Sequence, residues 1–303
     1  MKAMRIHAWG EPLRLDDVPR PEPGDGQILV RVRASSVNPI DYKIAEGAMK
    51  SMLSLPLTPG TDVAGEVVAV GSGIQHVKPG DGVFGMLMNR GAFAEYAIAE
   101  QREVARKPRS LDFSQAAAVP VTALTAWQTL FELAQLQSGE RLLIHGAAGG
   151  IGTYAVQLAK QKGAYVIGND RADKEGYLRE LGVDRAIDAR TQRLQDAIGT
   201  VDVVLDLVGG DMVQRSLDVL GRGGRYVTPA GQPPEEEAAR RGIQAHGIFT
   251  QPTVRDLASI AEQIDAGRLR VVVSRTFPLE QAQAALDFKE EGETYGKVVI
   301  TVD

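Results

Sequence analysis

Residues 145–160 read HGAAGGIGTYAVQLAK, and no other stretch restricts the fold as tightly. An apolar strand pattern, Arg141–His145 (RLLIH), runs straight into it, and a helical pattern over about Gly150–Lys162 follows. A glycine-rich turn at a strand-to-helix junction lets the chain turn tightly, lets the backbone approach a ligand, and lets the helix pack close to the strand. The fingerprint is Ala147-x-Gly149-x-x-Gly152, with Ala in the first glycine's place. Gly149 is read as the point of approach to a pyrophosphate and Gly152 as the point of helix–strand contact. The helix N–H groups and dipole then face the phosphates.

The pattern after this turn alternates. Strands are expected at 166–169, 201–207 and 225–229, and helices at 174–181 and 212–220. Residues 201–207 (VDVVLDL) are apolar on both faces, as a buried parallel strand should be. This alternation predicts βαβ units and a doubly wound parallel sheet. Residues 1–105 instead read as β-rich, with alternating runs at 28–33, 62–71 and 92–99 and a turn at 78–82 (KPGDG). A helix is expected to start at 114–118 with Ser114 as N-cap. The tail predicts a helix at 256–266, a strand at 271–277, a helix at 279–289 and a strand at 297–302. Residues 232–241 read as a solvated loop and helix start. The expected fold is α/β, with a β-rich domain over 1–115 completed by 271–303, and a dinucleotide-binding domain over 116–270.

Composition removes several classes of function. The 303-residue chain has no Cys and only four His, scattered at His7, His76, His145 and His246. A disulfide framework, a thiolate nucleophile and a Cys-built zinc site are excluded, and no metal is expected. A net charge of -5 speaks against nucleic acid or an anionic membrane as partner. The first residues resemble no signal peptide, so a cytoplasmic protein is expected. The 33 glycines follow no collagen period and point to many tight turns.

The end of the second parallel strand should meet the adenosine ribose. There the chain reads Asp170-Arg171-Ala172-Asp173-Lys174. Asp170 favours NAD, whereas Arg171 with Lys174 favours the 2′-phosphate of NADP, and the residues leave both open. Asp206, Val208 and Gly231 fall at carboxyl ends of further strands, where such sheets bind ligands, and are read as cofactor contacts.

Several motifs in fixed order cover nearly the whole chain: SSVNPIDYK over 35–43, PGTDVAG over 59–65, KPGD over 78–81, VPVTALTA over 119–126, the AAGGIG turn over 147–152, and GKVV over 296–299. In these the chain resembles the medium-chain dehydrogenase/reductase superfamily, in particular its zinc-free quinone and enone oxidoreductase branch. The resemblance implies a GroES-like substrate domain, a Rossmann cofactor domain, a C-terminal return into the first domain and an active site between them. It further implies NADPH as cofactor, with NADH open, a small-molecule quinone or enone substrate, and a homodimer. Where zinc-dependent relatives place their first Cys, this chain has Asn38, and where they place a His before an acid it has Thr61-Asp62.

By the same resemblance, Ala147, Ala148, Gly149, Gly150, Ile151 and Gly152 cradle the cofactor. Asn38 lines its nicotinamide end and Thr122 contacts the nicotinamide or its phosphate. Lys297 reaches back to it from the last strand, or else guards a strand edge. Hydride addition to an enone leaves charge on the carbonyl oxygen, which needs a donor. Lys43 is the candidate electrostatic catalyst in contact with cofactor and substrate, and Tyr42 the candidate hydroxyl donor. Asp41 is read as holding backbone or a neighbouring cation. Phe249 either walls the substrate pocket or belongs to the sheet edge, 242–249, through which relatives dimerise. An enoyl-thioester reductase and a non-catalytic NADPH-binding redox sensor are the alternative readings.

Overall fold

A computed structural model describes residues 1–292 and 294–303. The chain divides into two compact units, one of residues 1–121 with 252–303 and one of residues 122–251. These limits differ from the expected 115/116 and 270/271. The helix Val254–Asp265 groups with the first unit. Its Asp265 accepts hydrogen bonds from the backbone N–H groups of Arg109 and Ser110 at 3.1 and 3.0 Å, which ties it to the β-rich part.

The first unit is built on a seven-stranded sheet whose hub is the strand Gln27–Ser36. One side of that strand pairs antiparallel with Asp62–Val70 over its whole length. The other side is shared, with Gln27–Arg31 against the strand Tyr96–Glu100 and Ala34–Ser36 against the final strand Lys297–Thr301. The C-terminal return is thus a central strand, flanked on its far side by Val273–Pro278. One reading of Lys297, a guard on a free edge, is therefore corrected: its strand has partners on both sides. Two close backbone approaches need glycine in this sheet. A Cβ at Gly65 would lie 2.1 Å from Arg31 O, and one at Gly85 2.0 Å from Glu103 O. The core below is aliphatic, from Ile6, Ile28, Val30, Val63, Val83, Leu87, Val298 and Ile300.

The first helix after the β-rich stretch is Phe113–Ala117, and its N-cap is Asp112, not Ser114. Asp112 Oδ1 accepts from Gln115 N at 2.7 Å while Gln115 Oε1 accepts from Asp112 N at 3.2 Å. This reciprocal box outcompetes a lone serine hydroxyl because it satisfies two end groups at once.

The second unit carries a six-stranded, wholly parallel sheet in the spatial order Arg185–Asp188, Tyr165–Asp170, Arg141–His145, Val201–Asp206, Leu220–Thr228, Gln244–Gly247. In chain order this is 3-2-1-4-5-6, the doubly wound dinucleotide-binding arrangement. The strand order reverses between Arg141–His145 and Val201–Asp206, so a crevice opens at their carboxyl ends. The helix Gly150–Lys162 begins as expected and stops at Gly163, whose φ of 84° suits glycine. Its first turn holds no acidic residue and its last turn holds Lys160 and Lys162. Its own first turn thus supplies no carboxylate to the N-terminal end of its dipole. Leu220–Thr228 starts five residues before the expected strand, and the preceding helix, Met212–Leu217, ends correspondingly early. Among the described residues, no helix is long and apolar enough to cross a membrane.

Candidate active site

In the second unit the turn after Arg141–His145 is compact. Gly146 takes φ of 72°, a conformation that disfavours side chains. A Cβ on Gly152 would lie 2.4 Å from Ala147 O and 2.6 Å from Ala147 C and Cα, so the helix packs on the turn at a distance only glycine permits. Gly149 is looser, with Gly146 O 3.2 Å from its would-be Cβ.

Three carboxylates lie at or just beyond the carboxyl ends of the strands Tyr165–Asp170 and Val201–Asp206, and each already has partners. Asp170 accepts Ala148 N through Oδ2 and Arg171 N through Oδ1, both at 2.9 Å, and so clamps the glycine-rich turn to the neighbouring strand. Asp206 is fully buried and accepts Val208 N and Gly209 N through Oδ1 at 2.9 Å. Its Oδ2 accepts the hydroxyl of Tyr226 at 2.7 Å, and burial with this carboxylate holds that phenol well above its ordinary pKa. The Asp206 side chain therefore shapes the loop, and exposed Val208 is the residue that loop presents outward. Asp173, in contrast, is exposed and gathers cations. It pairs through both oxygens with Arg171 at 3.0 and 2.7 Å, and Lys174 Nζ lies 3.8 Å away. The Arg171 guanidinium beside it holds its carboxyl down at about 2.

His145 closes the strand beneath the turn and is fully buried, with Ser216 Oγ 3.0 Å from Nε2 and Asn169 Nδ2 2.6 Å from Nδ1. Burial pushes its pKa down to about 4, Asp206 opposing and Arg215 reinforcing that shift. Gly231 takes φ of 145° beyond the strand Leu220–Thr228. Thr122 is buried in the helix Pro120–Trp127. Phe249, 68% exposed, follows the edge strand Gln244–Gly247.

In the first unit the polar residues converge on Asp62 and Lys297. Asp62 has no exposed surface. Its Oδ2 accepts Ser36 Oγ at 2.6 Å, Asn38 Nδ2 at 2.8 Å and Lys297 Nζ at 3.1 Å, and its Oδ1 accepts Val121 N at 2.8 Å. Lys297, 2% exposed, also donates to Asn38 Oδ1 at 2.6 Å and Val37 O at 3.0 Å, so its three ammonium hydrogens all have acceptors. Asn38 and Lys297, singled out from sequence 259 residues apart, thus touch. They are bound into a buried lock whose hub, Asp62, sequence reasoning had noted only as a replacement.

Asp41 lies against this lock. Its carboxylate accepts Asn38 N at 2.8 Å and Gly60 N at 3.2 Å, with Thr61 Oγ1 3.5 Å away, and it holds backbone as expected. Burial pushes its pKa up to about 6 against the pull of the Asn38 N–H and the Lys297 charge. The helix Pro39–Ala45 that follows presents Tyr42 half-buried and Lys43 exposed. Burial, with Glu290 and Glu46 nearby, raises the Tyr42 phenol and keeps its proton on. Lys43 forms no ion pair with any described residue.

This fold and these two sites define an oxidoreductase of the two-domain kind, and the comparisons agree. Residues 24–109 match the alcohol dehydrogenase GroES-like domain model, and residues 181–300 match a zinc-binding dehydrogenase model. Over 320 residues the chain is 32% identical to the quinone oxidoreductase of Sus scrofa, covering 99% of this chain and 97% of that protein. It is 38% identical over 292 residues to the spectinabilin polyketide synthase system protein NorB of Streptomyces orinoci, covering 91% of this chain but 13% of that much longer protein. The crystal structure of Escherichia coli quinone oxidoreductase complexed with NADPH superposes with a TM-score of 0.92 at 29% identity, covering 99% of this chain and all of that one. The chain belongs to the medium-chain dehydrogenase/reductase superfamily, in its quinone oxidoreductase branch.

The zinc in the matched model's description does not fit the residues present. Asn38 and Thr61 stand at the two positions where relatives supply ligands, and the Asn38 carboxamide is consumed by Lys297 and Asp62. The Lys297 ammonium already lies 2.6 Å from Asn38 Oδ1 and 3.1 Å from Asp62 Oδ2, and a dication beside it would be repelled. The described residues hold no group of three His, Cys, Asp or Glu able to bind a metal.

Proposed function

We propose that the chain is a zinc-independent NAD(P)H-dependent reductase that transfers hydride to quinones or to the β-carbon of α,β-unsaturated carbonyls. The observation that carries this reading is the turn at 146–152, where backbone contact at Gly152 leaves no space for a side chain and the helix N–H groups open onto the strand-order reversal. The NADPH complex of the Escherichia coli relative supports the same cofactor here.

Ala147, Ala148, Gly149, Gly150, Ile151 and Gly152 hold the pyrophosphate, with Val208 and Gly231 bordering it. NADPH is favoured over NADH because Asp170 already spends one oxygen on the turn and the other on Arg171 N, whereas the Arg171 and Lys174 side chains converge on one exposed carboxylate position that a phosphate can take over. The bound nicotinamide supplies the hydride. Lys43 offsets the charge that collects on the substrate carbonyl oxygen, and Tyr42, which keeps its proton, donates a hydrogen bond to it. Asn38 and Lys297 fix the end of the strand Gln27–Ser36 from which the helix bearing these groups departs. Thr122 contacts the nicotinamide or its phosphate. A homodimer forms through the edge strand Gln244–Gly247 with Phe249 beside it.

Titration with NADPH and NADH separately, followed by turnover with 1,4-benzoquinone and a short-chain enone, tests this reading. Tighter NADPH binding with turnover is expected, and Arg171→Ala should weaken NADPH more than NADH. Binding of neither nucleotide would overturn the reading, and equal weakening of both would remove Arg171 from the 2′-phosphate.

A further inference from the structure

Arg90 lies in the connection between the strands Gly82–Met86 and Tyr96–Glu100 and is held in the left-handed region at φ of 64°. Gln135 is the one other described non-glycine residue with a positive φ. Such a conformation is disfavoured for a long side chain, and functional sites are where it tends to persist. Its side chain is half-buried and poorly served. Nε is buried with no hydrogen-bond partner among the described residues. Nη1 is 3.5 Å from Met88 O, at the outer limit of a hydrogen bond, and Nη2 is 3.5 Å from Met49 Sδ, a neutral thioether that accepts only weakly and supplies no counter-charge. No described carboxylate lies within ion-pair distance, and the nearby Asp41 has its oxygens taken by Asn38 N, Gly60 N and Thr61 Oγ1. Burial pulls the guanidinium pKa down while the Asp41 charge opposes the shift.

A guanidinium is a planar fork of five donors shaped for two oxygens of one anion, and withdrawing it from water without such a partner is unfavourable. Met49, which it touches, lies just beyond the helix Pro39–Ala45 that bears Tyr42 and Lys43. We propose that Arg90 is a specificity residue that takes a carboxylate or phosphate oxyanion carried by the electrophilic substrate, so that acidic enones or quinones are preferred to neutral ones. This rests on the reductase reading above, and it adds the class of substrate to it.

The test compares (E)-4-oxopent-2-enoate with its methyl ester, two enones that differ in one negative charge. Charge-assisted hydrogen bonds of this kind predict that kcat/KM for the acid exceeds that for the ester by about tenfold to a hundredfold. Arg90→Asn removes the charge with a residue that tolerates the left-handed backbone, and the ratio should fall to about one. Arg90→Lys keeps the charge without the fork, and the ratio should be intermediate. A ratio near one in the wild type, or an undiminished ratio in Arg90→Asn, would overturn the proposal.

Binding of the saturated acid levulinate, read by ligand-observed NMR, separates the two readings if no turnover is seen. Levulinate bound by the wild type and lost in Arg90→Asn, with methyl levulinate unaffected, upholds the anion site while the reductase reading fails. Equal levulinate binding by both proteins overturns the anion site. Inorganic phosphate that displaces levulinate at lower concentration than levulinate itself binds assigns the site to phosphate esters, and failure to displace assigns it to carboxylates.

Discussion

Replacing Lys297 by Met should unfold the first unit far more readily than the loss of one surface charge would. The Lys297 ammonium is the one cation within 4 Å of the buried Asp62 carboxylate among the described residues, and it also satisfies Asn38 Oδ1 and Val37 O. Methionine fills a similar volume, so packing is nearly conserved and the electrostatic loss dominates. Removing one member of a buried pair leaves an uncompensated charge and costs roughly 3–5 kcal/mol. With a urea dependence of about 2 kcal/mol per M, that is a midpoint shift of about 2 M. Trp9 packs on the first unit's core and Trp127 lies in the second, so fluorescence of Trp9 in a Trp127→Phe background reports the correct unit. The double variant Asp62→Asn/Lys297→Met should cost clearly less than the sum of the single variants. A midpoint shift under about 0.3 M, or additive single costs, would refute the reasoning.

Gly152→Ala should abolish nucleotide binding and lower stability by about 1–3 kcal/mol, because its Cβ would meet backbone at 2.4 Å; normal NADPH affinity in calorimetry would contradict this. Lys43→Ala should lower kcat/KM at least about tenfold with an unchanged circular dichroism spectrum, and unchanged kinetics would remove Lys43 from catalysis. His145 is held neutral in the fold, so its contribution is present above the unfolded pKa near 6.5 and is lost as pH falls toward its folded value of about 4. The stability advantage of wild type over His145→Gln should therefore shrink by roughly 3 kcal/mol between pH 7.5 and the acid end of that window, and a pH-independent difference would show that His145 does not titrate this way. Phe249→Asp should dissociate a dimer in light scattering, and an intact dimer would remove the edge strand from the interface.

The second unit was legible because its chemistry is local. Arg141–His145, the glycine-rich turn and Gly150–Lys162 are contiguous, and the steric demand at Gly152 follows from a neighbour five residues away. The short strand Arg185–Asp188 escaped because RAID carries charges at both ends and lies at a sheet edge, so neither alternation nor a buried run marks it. In the first unit the sequence pointed to Asn38 and Lys297 separately, but no periodicity connects residues so far apart. A lysine in an otherwise apolar final strand could have been read as needing a buried acid, and Asp62, opening a strand of small and apolar residues, was available to supply it.

The late arrival of the last strand has a consequence for synthesis. The backbone partner of Ser36 is Val299, so 263 residues must be translated before that side of the strand is paired. At the usual ribosomal pace this is a wait of roughly 13–53 s. Throughout it the nascent chain exposes the Ala34–Ser36 edge and the Asp62 carboxylate without its counter-charge, while the continuous second unit can fold as it emerges. Chaperone demand should therefore concentrate on the amino-terminal third of the chain, and a ribosome stalled just short of Lys297 should hold a folded nucleotide-binding unit beside a protease-sensitive one.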